Sequence, residues 1–248
     1  MAVGAAAPPP AGFVAYCQRQ PEDCGASTAD LRAMALSAWS AENSAVAAIR
    51  YDWSGVFASQ SVPSEPGAAA ELAYDRPSAF RQVSAPAKAA PAQAPAPALT
   101  AAAMAPALTP DLWAQINRVN AAVNRAIVRR TDIDTYGQAE VWATPLAAGV
   151  NFGDCEDYVL EKRRALMAAG VPAPALSIAV VTTSRGEQHA VLLIDTQAGE
   201  YVLDNLTPWV LPWRKTSYQW RERQVAGSPA RWASARLPIE PLLLASLR

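Results

Sequence analysis

Gly153-Asp154-Cys155-Glu156-Asp157-Tyr158 sets a lone thiol among carboxylates at the point where a helical pattern begins. The only histidine of the chain, His189, follows downstream, and Asp204 lies beyond it in Leu203-Asp204-Asn205-Leu206. Cys, His and Asp in that order can supply a thiol nucleophile, its base and a group that orients the base. A helix N-terminus favours thiolate over thiol, because its unpaired N–H groups and macrodipole stabilise negative charge.

Each residue also has an ordinary reading. A cysteine at a helix start is often structural, a histidine opening an apolar strand is often a satisfied core residue, and Asp204-Asn205 can be a strand-end turn. The joint order, with no competing histidine, favours the chemical reading.

Helical and strand patterns surround this stretch. Ser27 and Thr28 can cap a helix from about Asp30 to Ile49, with Leu31, Met34, Leu36 and Trp39 as core candidates. Leu112, Ile116, Val119, Val123 and Ile127 keep helical spacing between Asp111 and Arg129. Asn117, Asn120 and Asn124 share that helix and read as a polar face or as caps for neighbouring loops. A further helix runs from Cys155 to Ala169 and stops at Gly170 and Pro172. Strands are expected over 176–183, 188–196, 201–206 and 218–225, joined by turns at 184–187 and 197–199. Helices followed by an antiparallel meander make an α+β domain.

His189, Val191 and Leu193 share one face of their strand. A hairpin register with Asp204 opposite Val191 or Leu192 brings it near the diagonal of His189, about 7–8 Å between backbones. An aspartate can close that gap. If the Cys155 helix packs on this face, the thiol meets the other side of the ring.

Composition divides the chain further. Residues 1–12 lack a basic and apolar leader and read as a signal-peptide remnant or a disordered segment. Residues 13–60 are a helical segment of the domain. Residues 61–110 are an Ala/Pro-rich insertion too poor in large apolar groups to order itself. Residues 111–226 form the core, and 227–248 a C-terminal tail. A net charge of −1 with no long basic run gives no case for nucleic acid, and no apolar stretch reaches membrane-span length. Of three cysteines, Cys17 and Cys24 are close and Cys155 stands apart. They are three unrelated thiols, or one local disulfide and one reactive thiol as suits an oxidising compartment.

Asp154, Glu156 and Asp157 oppose thiolate formation. They are paired with Lys162, Arg163 or Arg164, or neutralised by a cation such as Ca²⁺, whose ligands are hard oxygens. Composition alone favours an ordinary acidic first turn.

Together, Trp142-Ala143-Thr144-Pro145, the 153–158 stretch, Gln188-His189-Ala190-Val191-Leu192 and Val202-Leu203-Asp204-Asn205-Leu206 resemble the bacterial transglutaminase-like cysteine proteinases. Val119-Asn120, Val123-Asn124, Tyr136-Gly137 and the segment Phe13 to Cys24 fit the same pattern. The resemblance implies a papain/transglutaminase-like fold, a Cys155–His189–Asp204 triad and peptide hydrolysis through an acyl-enzyme. It also implies calcium at Asp154 and Glu156, which reverses the preference for a bare acidic turn. It implies a periplasmic or otherwise exported enzyme acting on a periplasmic or cell-surface protein. The 61–110 insertion departs from the family, so no particular substrate carries over. The backbone N–H of Cys155 is one expected oxyanion donor, with Trp142 a candidate for the second. Acyl transfer to an amine, and a binding module that has lost turnover, are the competing readings.

Overall fold

A computed structural model describes residues 1–48 and 105–236. Met1–Ala45 and Leu99–Arg248 group as one compact unit. Three N-terminal helices, α1 (Ala11–Arg19), α2 (Pro21–Cys24) and α3 (Thr28–Ala48), precede α4 (Pro110–Ala126), α5 (Asp132–Tyr136) and α6 (Cys155–Ala168). A seven-stranded antiparallel sheet supplies the other layer. Its strands are β1 (Ala2–Ala7), β4 (Leu176–Thr182), β5 (Gln188–Thr196), β6 (Gly199–Leu203), β7 (Leu211–Pro212), β8 (Gln219–Val225) and β9 (Ser228–Arg236). A short parallel pair, β2 (Val128–Arg129) and β3 (Phe152–Gly153), stands apart from it. The architecture is α+β.

The helix ends follow local chemistry. Ser27 Oγ accepts from the Asp30 N–H while the Asp30 carboxylate accepts from the Ser27 N–H, a reciprocal cap at the start of α3. Thr109 caps α4 by accepting from the Leu112 N–H. Met34 is fully buried, whereas Leu36 is 67% exposed and lies off the core face. Trp39 and the segment from 49 to 104 lie outside what can be described of side chains.

Strands β4 and β5 carry near-continuous apolar runs because both faces are covered. On one face, Ile178, Ala190, Leu192 and Ile194 pack with Val159, Leu160 and Leu166 of α6, Ile116 of α4, and Phe13, Cys17 and Cys24 from the N-terminal helices. On the other, Ala179, Val181, Val191 and Leu193 meet Val202, Trp213 and Trp220. Burying each large side chain contributes roughly 1.5–3 kcal/mol.

The sheet order is β1-β9-β8-β4-β5-β6-β7, not a simple meander. The 210–218 connection carries Trp213 onto the second core, where it meets Trp220 edge to face with 6.1 Å between centroids. The chain thus crosses the sheet and enters β8 beside β4 rather than beside β6.

Two segments correct the sequence reading. Ala2–Ala7, expected as a leader remnant or disordered, is an edge strand, and residues 228–236, expected as a tail, are its partner β9. Small side chains without a visible alternation concealed β1. Order also resumes before 111: Ala105 is buried and the Pro106 carbonyl accepts from the Gln197 N–H at 3.0 Å. The rest of the 61–110 insertion lies outside the described residues.

Candidate active site

Cys155 is the first residue of α6, and Asp154 is its N-cap in extended geometry without a side-chain cap bond. The Cys155 N–H therefore belongs to the unpaired first turn. Strand β5 delivers His189, its second residue. Leu192 pairs with Leu203, so Asp204 follows level with Val191, one of the two registers expected.

His189 and Asp204 meet. His189 Nε2 lies 2.8 Å from Asp204 Oδ1, and both side chains are almost fully buried. The same carboxylate oxygen accepts from the Leu206 N–H at 3.0 Å, and the Tyr218 hydroxyl donates to the other oxygen. Asn124 of α4 donates to the Asp204 carbonyl at 2.8 Å, and Asn120 donates to the Pro208 carbonyl at 3.3 Å. Burial alone would raise the Asp204 carboxyl, but these donors, His189 first, hold it below its ordinary value. Asn120 and Asn124 are thus caps for a neighbouring loop, and that loop carries Asp204, whereas Asn117 donates to the Trp113 carbonyl of its own helix.

Cys155 and His189 line one cleft of about 520 Å³ with Trp142, Glu140, Ala190 and Glu222 among its walls. The packing differs from the expected one. Helix α6 covers the Ala190–Leu192–Ile194 face, while His189 alternates with Val191 and Leu193 on the other. The two residues share a cleft because each stands at the start of its element. The hydrogen bond of the thiol goes to Glu156 Oε2, at 3.0 Å. Burial, and then Glu156, push the Cys155 thiol well above its ordinary value.

The expected counter-ions do not reach these carboxylates. Arg163 donates to the Asp23 and Cys24 carbonyls, Lys162 Nζ has no hydrogen-bond partner, and the ion pairs among the described residues lie elsewhere. Asp132, Asp154 and Asp157 instead converge, one oxygen of each within 4.8 Å of the others. Asp132 of α5 is not among the residues that the sequence singles out, because its spacing from the thiol gives no signal. Glu156, expected as a ligand with Asp154, is not in this set and faces the thiol.

The donor set fits a hard divalent cation. Asp132 Oδ1, Asp154 Oδ1 and Asp157 Oδ2 are buried without a hydrogen-bond partner. Asp132 and Asp157 spend their other oxygens on the N–H groups of Val141 and Ala143, the latter at 2.8 Å. Gly153 leaves the room: a Cβ there would sit 2.5 Å from Asp157 Oδ2. With no cation, burial drives Asp154 and Asp157 up to about 8 and Asp132 to about 6, with neighbouring carboxylates adding to each rise.

Trp142 lines the cleft, and its two chain neighbours bond the cluster. Its indole N–H donates to Glu140 at 2.7 Å and is spent there, which removes that group as the second oxyanion donor. Its carbonyl accepts from Arg19 at 2.9 Å, and its ring meets Phe13 edge to face at 5.4 Å. Cys17 and Cys24 form a disulfide that closes the α1–α2 hairpin, leaving Cys155 as the free thiol. Arg163 ties that hairpin to α6.

No helix of the described residues is long and apolar enough to cross a membrane. No curated protein matches the chain. Among solved structures, Legionella pneumophila LapG in an EGTA-treated form is similar with a TM-score of 0.43 and 24% identity, over 53% of this chain and 70% of that one. Its calcium-bound form gives 0.42 and 22%, over 54% and 76%. The sequence model described as "Bacterial transglutaminase-like cysteine proteinase BTLCP" matches residues 92–237, more than half of the sequence. By that match, the chain belongs to the bacterial transglutaminase-like cysteine proteinases.

Proposed function

We propose that this cysteine proteinase hydrolyses a peptide bond in a protein substrate, with Cys155, His189 and Asp204 as its triad. The observation that carries the reading is the 2.8 Å bond from His189 Nε2 to a buried Asp204, beside a cleft that also holds a helix-initial thiol. Asp204 holds Nε2, so Nδ1 is the nitrogen left to take the thiol proton. Cys155 Sγ then attacks the peptide carbonyl and forms a thioester as the imidazolium protonates the leaving amine. The imidazole next activates water, which releases the acyl group and restores the thiol. Asp204 fixes the tautomer and stabilises the cationic ring, while Tyr218 and the Leu206 N–H fix Asp204. The unpaired Cys155 N–H is one oxyanion donor.

Asp132, Asp154 and Asp157 would hold Ca²⁺, with Glu156 beside them. Bound there, calcium supplies positive charge next to a thiol that burial and Glu156 otherwise keep protonated. Asp132 and Asp157 in turn hold the Val141–Ala143 segment and with it Trp142, a wall of the cleft.

The Cys17–Cys24 disulfide supports an exported, periplasmic setting, and in that setting the substrate would be a periplasmic or cell-surface protein. Peptide cleavage by the calcium-loaded chain, with Cys155→Ala as control and a primary amine added in parallel, tests the reading. Cys155-dependent new termini support hydrolysis. Amine-capped products in their place would assign acyl transfer, and no Cys155-dependent product would overturn both.

A further inference from the structure

Lys162 is the largest fully buried side chain of the described residues, and its Nζ has no hydrogen-bond partner. A buried ammonium without a partner is costly, so the position calls for an explanation. Helices α4 and α6 pack antiparallel. Near the start of α4, Gln115 donates to the Ala169 carbonyl at 2.8 Å; at its end, the Ile127 carbonyl accepts from the Tyr158 hydroxyl, also at 2.8 Å. Between these two ties, Lys162 is level with the turn of α4 that carries Asn120 and Asn124. The Nζ stands 5.8 Å from the Tyr158 ring centroid, one turn below.

The facing turn of α4 and the Asp204 loop hold stranded acceptors. Asn120 and Asn124 spend their amide N–H groups on the Pro208 and Asp204 carbonyls, and their Oδ1 atoms are buried without a partner, as is Asn205 Oδ1. An ammonium with three donors and three unpaired amide oxygens are complementary, and buried water commonly bridges such groups. Asp204 is the carboxylate whose charge acts on Lys162.

We propose that Lys162 is a positioning residue: its buried ammonium, bridged to the asparagine oxygens, clamps the Asp204–Pro208 loop and sets a cation on the Asp204 side of the triad. The inference rests on the triad reading above. Burial first, offset by Asp204, lowers the Lys162 amine to about 7, so its charge is fully present on the acid side of neutrality. A cation there favours every proton loss in the thiol–imidazole pair.

Iodoacetamide alkylation of Cys155 in the full, calcium-loaded chain, followed against pH, reads the thiolate without a substrate. A His189→Ala control tests the triad by itself: an unchanged curve there would reject the triad, whatever Lys162 does. Lys162→Met should move the acid midpoint of alkylation up by about 0.5–1 pH unit. It should do so in a chain that still folds, with a melting temperature close to that of the parent, since Met keeps the buried volume and the lost bridges are offset by the buried charge that is gone. Lys162→Gln, which keeps hydrogen bonding without charge, should move the midpoint the same way. A Lys162→Met curve that overlays the parent overturns the proposal. So does failure of both variants to fold, which would make the residue purely structural.

Discussion

Glu156 Oε2 stands 3.0 Å from Cys155 Sγ and takes the thiol's hydrogen bond, so the proposed nucleophile rests against a carboxylate rather than its proposed base. In metal-free protein, Glu156→Gln should therefore lower the pH at which Cys155 is alkylated, because burial remains but the opposing charge is removed. Labelling by a thiol reagent across pH checks this. A variant that labels at the same pH as the parent contradicts it.

Cys155→Ser and His189→Ala should each cost on the order of 10³-fold or more in peptide cleavage, since groups that act as a unit fail together. Asp204→Asn should lose less than either, because Tyr218 and Leu206 remain to hold the loop. Folding is checked by circular dichroism. Near-parental turnover in folded His189→Ala would remove His189 from the mechanism.

The carboxylate cluster should make stability depend on pH and calcium together. Asp154 and Asp157 are raised to about 8 and Asp132 to about 6, above their unfolded values. Their contribution to metal-free stability is full below about pH 4 and is lost as pH rises towards 8. Calcium displaces those protons, so its affinity should rise over the same window. At 100 times its dissociation constant it should add about 2.7 kcal/mol. Thermal melts with and without chelator test this, and Asp132→Asn should lose most of the calcium effect. A melting temperature indifferent to calcium at neutral pH would count against the site.

Gly153→Ala probes the same cluster from the backbone. The added Cβ would sit 2.5 Å from Asp157 Oδ2 and 2.8 Å from its Cβ, so Asp157 or the strand must move. The calcium-induced rise in melting temperature should shrink or vanish, and cleavage should fall with it. A fully retained calcium response would show that Asp157 is not a ligand.

Cys17 and Cys24 should leave one titratable thiol in oxidised, unfolded protein. Replacing the pair with serine should cost about 2–3 kcal/mol from the lost loop closure. Thiol counting and denaturant melts are the measurements, and three free thiols in exported protein would exclude the pairing.

Much of this site could be read along the chain. The helix starting at Cys155, the β5–β6 hairpin and the Asp204 register follow from local signals: an acidic first turn, Gly170, alternation and the turn at 197–199. What stayed hidden depends on long-range placement. Asp132 joins Asp154 only because β2 pairs with β3 and brings α5 beside α6. Glu156 is an expected ligand only through the family resemblance, and its side chain turns to the thiol. The edge strand at Ala2–Ala7 has no pattern of its own and exists because β9 offers it an open edge. The place of β8 likewise depends on where Trp213 and Trp220 find a core.

Asp132 and Asp157 each grip the Val141–Ala143 segment with one oxygen and point the other into the acidic cluster. The candidate cation site and the segment that carries Trp142 into the cleft are thus held by the same two side chains. Reciprocity follows: whatever factor calcium contributes to a ligand resting on Trp142, that ligand must return to calcium affinity. Were that factor above one, substrate and metal would behave as co-ligands, each held longer in the presence of the other.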